Sequence, residues 1–108
     1  WSGNDDQVVP MMALGAKGVI SVASNIIPEV MVEMSHLCLD NDFAAASKLQ
    51  IKYMDLIDAL FCEVNPIPIK AAMNLMGMEA GPLRLPLCDI SEKNLATLRA
   101  SMERMGLL

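Results

Sequence analysis

One short run constrains the fold more than any other: Gly18-Val19-Ile20-Ser21-Val22-Ala23. Val19, Ile20 and Val22 are β-branched, and the run is bounded by Gly18 on one side and Ser24-Asn25 on the other. That pattern suits a strand buried on both faces, as in a parallel sheet. A strand must pair its backbone N–H and C=O groups with neighbours. Little else in the chain can supply them, because nearly everything after Asn25 has helical periodicity. The sequence therefore predicts a mostly α chain with one clear strand, at 18–23, taken from a sheet whose other strands lie elsewhere.

Composition supports that reading. The chain of 108 residues has the length of one small domain, yet 54% of it is hydrophobic and 19% charged. Mean hydropathy is +0.39. This is apolar for a free-standing domain of such size, where much surface stays wet. No apolar run reaches the roughly 18 residues of a membrane helix. The excess is expected to pack on an absent portion of the same fold or on further copies. Net charge is −5 without a Lys/Arg cluster, which argues against nucleic-acid binding. Cys38, Cys62 and Cys88 are odd in number and widely spaced, so neither a disulfide framework nor a zinc site is expected, and a reducing cytoplasm fits. The opening Trp1-Ser2-Gly3, with no initiator Met, reads as an element cut through, hence a fragment.

In order, Trp1-Ser2-Gly3 resembles a strand end, and Asp5 or Asp6 is expected to cap a helix over 7–14, with Pro10 in its first turn and Gly15 beyond its end. Strand end, helix, strand makes a truncated βαβ unit with a right-handed parallel crossover. Pro28 suits the first position of a helix over 28–39, with Val30, Met34, Leu37 and Cys38 on one face. Asp40-Asn41-Asp42 breaks the pattern. A long helix over 43–62 follows, its apolar residues Ala46, Leu49, Tyr53, Leu56 and Leu60 flanked by Ile51, Met54, Ile57 and Phe61, which predicts burial on two sides. Asn65 and Pro66 are expected as cap and first residue of a helix over 66–76 ended by Gly77. Pro82 and Pro86 argue against a strand in 79–90. Ser91 caps a last helix over 92–105, with Leu95, Leu98, Met102 and Met105 inward and Gly106 at its end.

No catalytic centre emerges from these residues. His36 lies mid-helix, Ser21 and Ser24 lack a nucleophile elbow, and there is no phosphate-binding glycine loop. The ten methionines suit buried helical faces. Asn4, Asp5 and Asp6 would need metal ligands converging from elsewhere. An amine nucleophile must be largely neutral, through burial or cationic neighbours, and Lys17, Lys48, Lys52, Lys70 and Lys93 do not sit at the end of an apolar strand.

Four motifs in order nevertheless carry a resemblance: Ser2-Gly3-Asn4-Asp5-Asp6, Gly18-Val19-Ile20-Ser21-Val22, Asn65-Pro66-Ile67-Pro68-Ile69-Lys70 and Leu83-Arg84-Leu85-Pro86-Leu87. Together they resemble the C-terminal part of the dihydrodipicolinate synthases (4-hydroxy-tetrahydrodipicolinate synthases), over essentially the whole chain. The resemblance implies the end of a (β/α)8 TIM barrel over 1–41, comprising the end of strand seven, helix seven, strand eight and helix eight. A C-terminal helical domain over 42–108 would follow. It implies a lyase of lysine (diaminopimelate) biosynthesis that condenses pyruvate with aspartate semialdehyde through a lysine Schiff base. The enzyme would need no cofactor and would work as a homo-oligomer, a dimer or tetramer. Gly3 and Ile20 would line the substrate pocket, Ile20 partly through its backbone. The imine-forming lysine and the tyrosine–threonine proton relay would lie upstream, so no catalytic residue falls in this segment and Tyr53 is not the relay tyrosine. The segment alone would be inactive without the N-terminal barrel portion. Two other readings stay open: a stand-alone helical interaction or scaffold module, and a segment of another pyruvate-dependent aldolase such as a sialic-acid lyase.

Overall fold

The computed structural model describes residues 1–108 and consists almost wholly of helices. A 3-10 turn at Asp5–Gln7 runs straight into α1 (Val8–Ala13), and a second such turn lies at Ala23–Asn25. Then come α2 (Pro28–Leu39), α3 (Phe43–Leu60), α4 (Ile67–Leu75) and α5 (Glu92–Arg104). The chain divides into two compact units, Trp1–Met54 and Asp55–Leu108.

The strand expected at 18–23 is not formed. A single parallel bridge joins Ser2 to Val19. In it the Ser2 amide donates to the Gly18 carbonyl at 2.9 Å, and the Ile20 amide to the Ser2 carbonyl at 2.8 Å. Pairing stops there because side chains occupy the next ladder positions. The Asn4 amide, which would continue the ladder, donates to the Ser2 hydroxyl at 3.2 Å. The Val22 amide donates to the Asp5 carboxylate at 2.9 Å. The backbone after Val22 then winds into the 3-10 turn.

The core of the first unit is Val8, Val9, Met12, Ala23, Ile26, Ile27, Met31, Met34, Cys38 and Ala46. Pro28 opens α2 at its first turn, where a missing N–H costs little. The buried stripe of α2 is Met31, Met34 and Cys38, while Val30 and Leu37 are only half-buried. Asp42 accepts from the Ala45 amide at 3.1 Å and so caps α3. Neither Asp5 nor Asp6 caps the first helix. The cap positions belong to Asn4 and Gln7, neither with a side-chain bond, because the Asp5 carboxylate faces residues 22–23 instead.

In the second unit Leu56, Ile57, Ala59, Leu60, Ile67, Ile69, Ala72, Leu98 and Met102 form the core. Burial of α3 on two sides does not extend to Ile51, which is 73% exposed, or to Phe61, also exposed. The helix expected to start at Pro66 starts one residue later. Pro66, preceded by a cis peptide, holds the cap position at φ −101° and ψ 24°, outside helical geometry, and Asn65 makes no cap bond. Gly77 (φ +79°) and Gly106 (φ +73°) end α4 and α5 in the left-handed conformation that glycine adopts without a Cβ penalty. The Met78 amide closes the α4 end on the Met73 carbonyl and the Leu107 amide closes α5 on Met102, both at 2.9 Å. Residues 79–90 are irregular, as their prolines require.

Candidate functional site

Gly3 and Ile20 flank the Ser2–Val19 bridge, so the structure brings the two expected pocket residues to the same place. Side chains alternate along an extended run, and they do so here. Val19 and Ser21 turn toward α2, lining a groove of about 320 Å³ with Pro28, Met31, Val32 and His36. Ile20 takes no part in that groove and is 75% exposed. Its amide is used by Ser2, but its carbonyl accepts no hydrogen bond. This follows from the Ser2 hydroxyl taking the Asn4 amide, which is the donor a continued ladder would have aimed at Ile20. Gly3 is exposed, and a Cβ built on it would meet nothing within 4 Å.

The residue that shapes this region is one the sequence motif contained but local reasoning misassigned. Asp5 is 1% exposed. One carboxylate oxygen, Oδ2, accepts from the Val22 amide at 2.9 Å and the Ala23 amide at 3.1 Å. It thereby satisfies the start of the Ala23–Asn25 turn, whose own hydroxyls and amides close locally through Ser21 and Ser24. The other oxygen, Oδ1, is buried with no donor from this chain. Behind Asp5 stands Gln50 of α3, also buried. Its Nε2 donates to the Asp5 carbonyl at 2.8 Å and its Oε1 accepts from the Val9 amide at 3.2 Å. A glutamine among helical apolar residues gives no signal of such a role. Only its place on the same face as Ala46 and Tyr53, four before and three after, could have hinted at burial.

The remaining candidates do other things. His36 is exposed on α2, and no group of three His, Cys, Asp or Glu side chains is placed to hold a metal ion. All three cysteines are free. Burial pushes the Cys38 thiol up, and partial burial with the neighbouring Glu63 carboxylate pushes Cys62 up, so neither is poised as a thiolate nucleophile. The Lys70 ammonium donates to the Pro82 carbonyl and lines a cleft of about 390 Å³ with Asn74 and Asp89. In the same unit two carboxylates of the 55–63 stretch hold α5. Glu63 accepts from the Ser91 amide (3.0 Å), the Ser91 hydroxyl (3.1 Å) and the Asn94 amide side chain (2.9 Å). Those donors hold its carboxyl below the usual range, Asn94 most strongly. Asp55 accepts from the Ser101 hydroxyl and pairs with Arg104, both at 2.7 Å, which lowers its carboxyl likewise. These are structural staples.

Comparison with known proteins agrees with the motifs. A family model described as the dihydrodipicolinate synthetase family matches residues 1–105. The 4-hydroxy-tetrahydrodipicolinate synthase of Acetivibrio thermocellus is 54% identical over 108 residues, all of this chain and 37% of the relative. The crystal structure of dihydrodipicolinate synthase from Thermotoga maritima superposes with a TM-score of 0.96 at 44% identity, covering 100% of this chain and 37% of that one. The chloride-inhibited enzyme of Acinetobacter baumannii complexed with pyruvate superposes with a TM-score of 0.94 at 38% identity, over 99% and 37% of the two chains. The chain thus spans a little over a third of the length of the relatives it matches, 37% of the first.

Proposed function

We propose, for a chain that belongs to the dihydrodipicolinate synthetase family, that it is the C-terminal segment of a 4-hydroxy-tetrahydrodipicolinate synthase. The complete enzyme would condense pyruvate with aspartate semialdehyde in lysine biosynthesis, with pyruvate carried as an imine on a lysine outside residues 1–108. In this reading residues 1–41 close a (β/α)8 barrel and 42–108 form the helical domain appended to it. Chemistry on such barrels sits at the C-terminal ends of the strands, which is where Gly3 and Ile20 would lie.

One observation supports the pocket reading: the Ile20 side chain is exposed and outside the groove against α2, and the Ile20 carbonyl accepts no bond within this chain. In a closed barrel the side away from that groove is the interior. The side chain would then face the pocket, the free carbonyl would be an acceptor at the strand edge beside Gly3, and Gly3 leaves room for a small keto acid to approach the backbone. Neither residue carries charge or a transferable proton, so both would act by shape and by accepting a hydrogen bond. The exposed Trp1, Leu14 and Val32 are suited to cover by the upstream barrel or by a second copy in a homo-oligomer. Free cysteines favour a reducing, cytoplasmic setting.

Borohydride trapping with labelled pyruvate tests the proposal. In the complete enzyme the label is expected on a lysine outside this segment, and the segment alone should stay unlabelled. An adduct on Lys17, Lys48, Lys52, Lys70 or Lys93, or no adduct anywhere, would overturn it.

A further inference from the structure

We infer that Asp5 and Gln50 are positioning residues for the keto-acid pocket, setting from outside it where the Ile20 backbone stands. This rests on the pocket assignment above and goes further. It places control of substrate fit in a buried carboxylate and in a glutamine on α3.

The argument begins with how residues 18–23 are held. On the edge facing residues 2–4 the ladder ends at the Ser2–Val19 bridge, so there it fixes the run only as far as the Ile20 amide. From there the Asp5 carboxylate takes over, with Val22 and Ala23 both donating to Oδ2. Ser21 is closed onto Ser24 through its hydroxyl and its carbonyl, so it travels with the turn that Asp5 holds. On this edge Ile20 therefore lies between two anchors. One is backbone, at Ser2; the other is the turn held by the Asp5 side chain. Moving the second anchor carries Ser21 with it and turns the Ile20–Ser21 peptide, and with that peptide the acceptor offered to the substrate.

Asp5 is in turn held in place by Gln50. The Asp5 carbonyl receives Gln50 Nε2, and the same amide group accepts from Val9, the second residue of α1. One side chain thus spans both sides of the junction between the 3-10 turn and α1. Because Gln50 is buried, loss of its amide would leave the Asp5 carbonyl and Val9 amide without partners away from water. That penalty favours local shifts that find new ones. The shift would be passed to Asp5 and so to residues 22–23. A displacement near 1 Å at the reacting centre can cost about 100-fold in rate. Even a fraction of that movement at Ile20 should be visible in pyruvate binding.

Steady-state kinetics of the complete enzyme provide the test, with Asp5→Ala, Asp5→Asn and Gln50→Met compared with the parent. Asp5→Ala is expected to raise KM for pyruvate by about 10- to 100-fold while borohydride still traps the imine at saturating pyruvate. Asp5→Asn keeps an acceptor oxygen for both amides and should restore most of the affinity. Gln50→Met, of similar length but unable to make either bond, should raise KM for pyruvate about threefold or more with the smaller part of the effect in kcat. A merely structural role would lower the thermal midpoint and leave KM alone. Unchanged KM in Gln50→Met and in whichever Asp5 variants fold overturns the inference. A parent enzyme that neither traps pyruvate nor condenses it refutes the functional assignment instead, so the two failures are told apart.

Discussion

Leu56→Ala is the sharpest test of the helical core. Leu56 is 0% exposed on α3. The substitution deletes three carbons, worth about 0.8 kcal/mol each, or roughly 2.4 kcal/mol of lost transfer energy. A cavity costs about 24 cal/mol per Å³, so about 50 Å³ left unfilled would add about 1.2 kcal/mol. The expected loss is about 2.5–4 kcal/mol. Ile51 on the same helix supplies the control, because it is 73% exposed and Ile51→Ala should change stability by about 0.5 kcal/mol or less. Equilibrium urea unfolding of the chain is the assay. With a slope of about 2 kcal/mol per molar, within the usual range, Leu56→Ala should lower the midpoint by about 1–2 M and Ile51→Ala scarcely move it. Equal midpoints for the two variants would refute the burial argument.

Two further outcomes follow from the stapling carboxylates and the N-terminal contact. Asp55 and Glu63 have folded-state pKa values below their unfolded ones, so their stabilisation is present above the ordinary carboxylate range and is lost as pH falls through the lowered values. The double variant Asp55→Asn, Glu63→Gln should be less stable than the parent at neutral pH, and the two urea midpoints should converge in strongly acidic buffer; a constant gap would show that charge is not the cause. A Cβ on Gly18 would lie 2.6 Å from the Trp1 ring, whose side chain is on the surface and free to swing. Gly18→Ala should therefore alter the fluorescence of this single tryptophan while shifting the thermal midpoint little, and an unchanged spectrum would count against the contact.

The helices were legible because their ends are marked locally. Pro28, Ser91, Gly77 and Gly106 act within a turn of themselves, and the structure uses each as its chemistry suggests. The bounds of α3 and α5 came from apolar spacing, which packing then honoured at Leu56, Leu60, Leu98 and Met102. The strand is not confirmed beyond one parallel bridge, and what limits it on that edge no window could reveal. β-branched composition states what a strand would contain, but pairing depends on which groups reach the donors, and here the Ser2 hydroxyl and Asp5 carboxylate reach them first. Asp5 was misread for the same reason: an acidic residue before a helix suggests a cap to that helix, whereas its real partners are 17 and 18 residues away. Gly3 and Ile20 were singled out only through a family motif, since nothing in a glycine or an isoleucine announces a pocket.

The Gln50–Asp5 hydrogen bond also sets an order in time. Its partners are 45 residues apart, and closing a flexible loop of that size costs roughly 3 kcal/mol beyond a constant. Helical turns at α1 and α3 can form within about a microsecond from neighbouring residues alone. The backbone around Ile20 cannot settle on that schedule, because the last piece of its support arrives with α3. During synthesis residues 18–23 would leave the ribosome long before Gln50 does. The run around Ile20 is therefore made before the helix that completes its support, and takes its final shape only once that helix arrives.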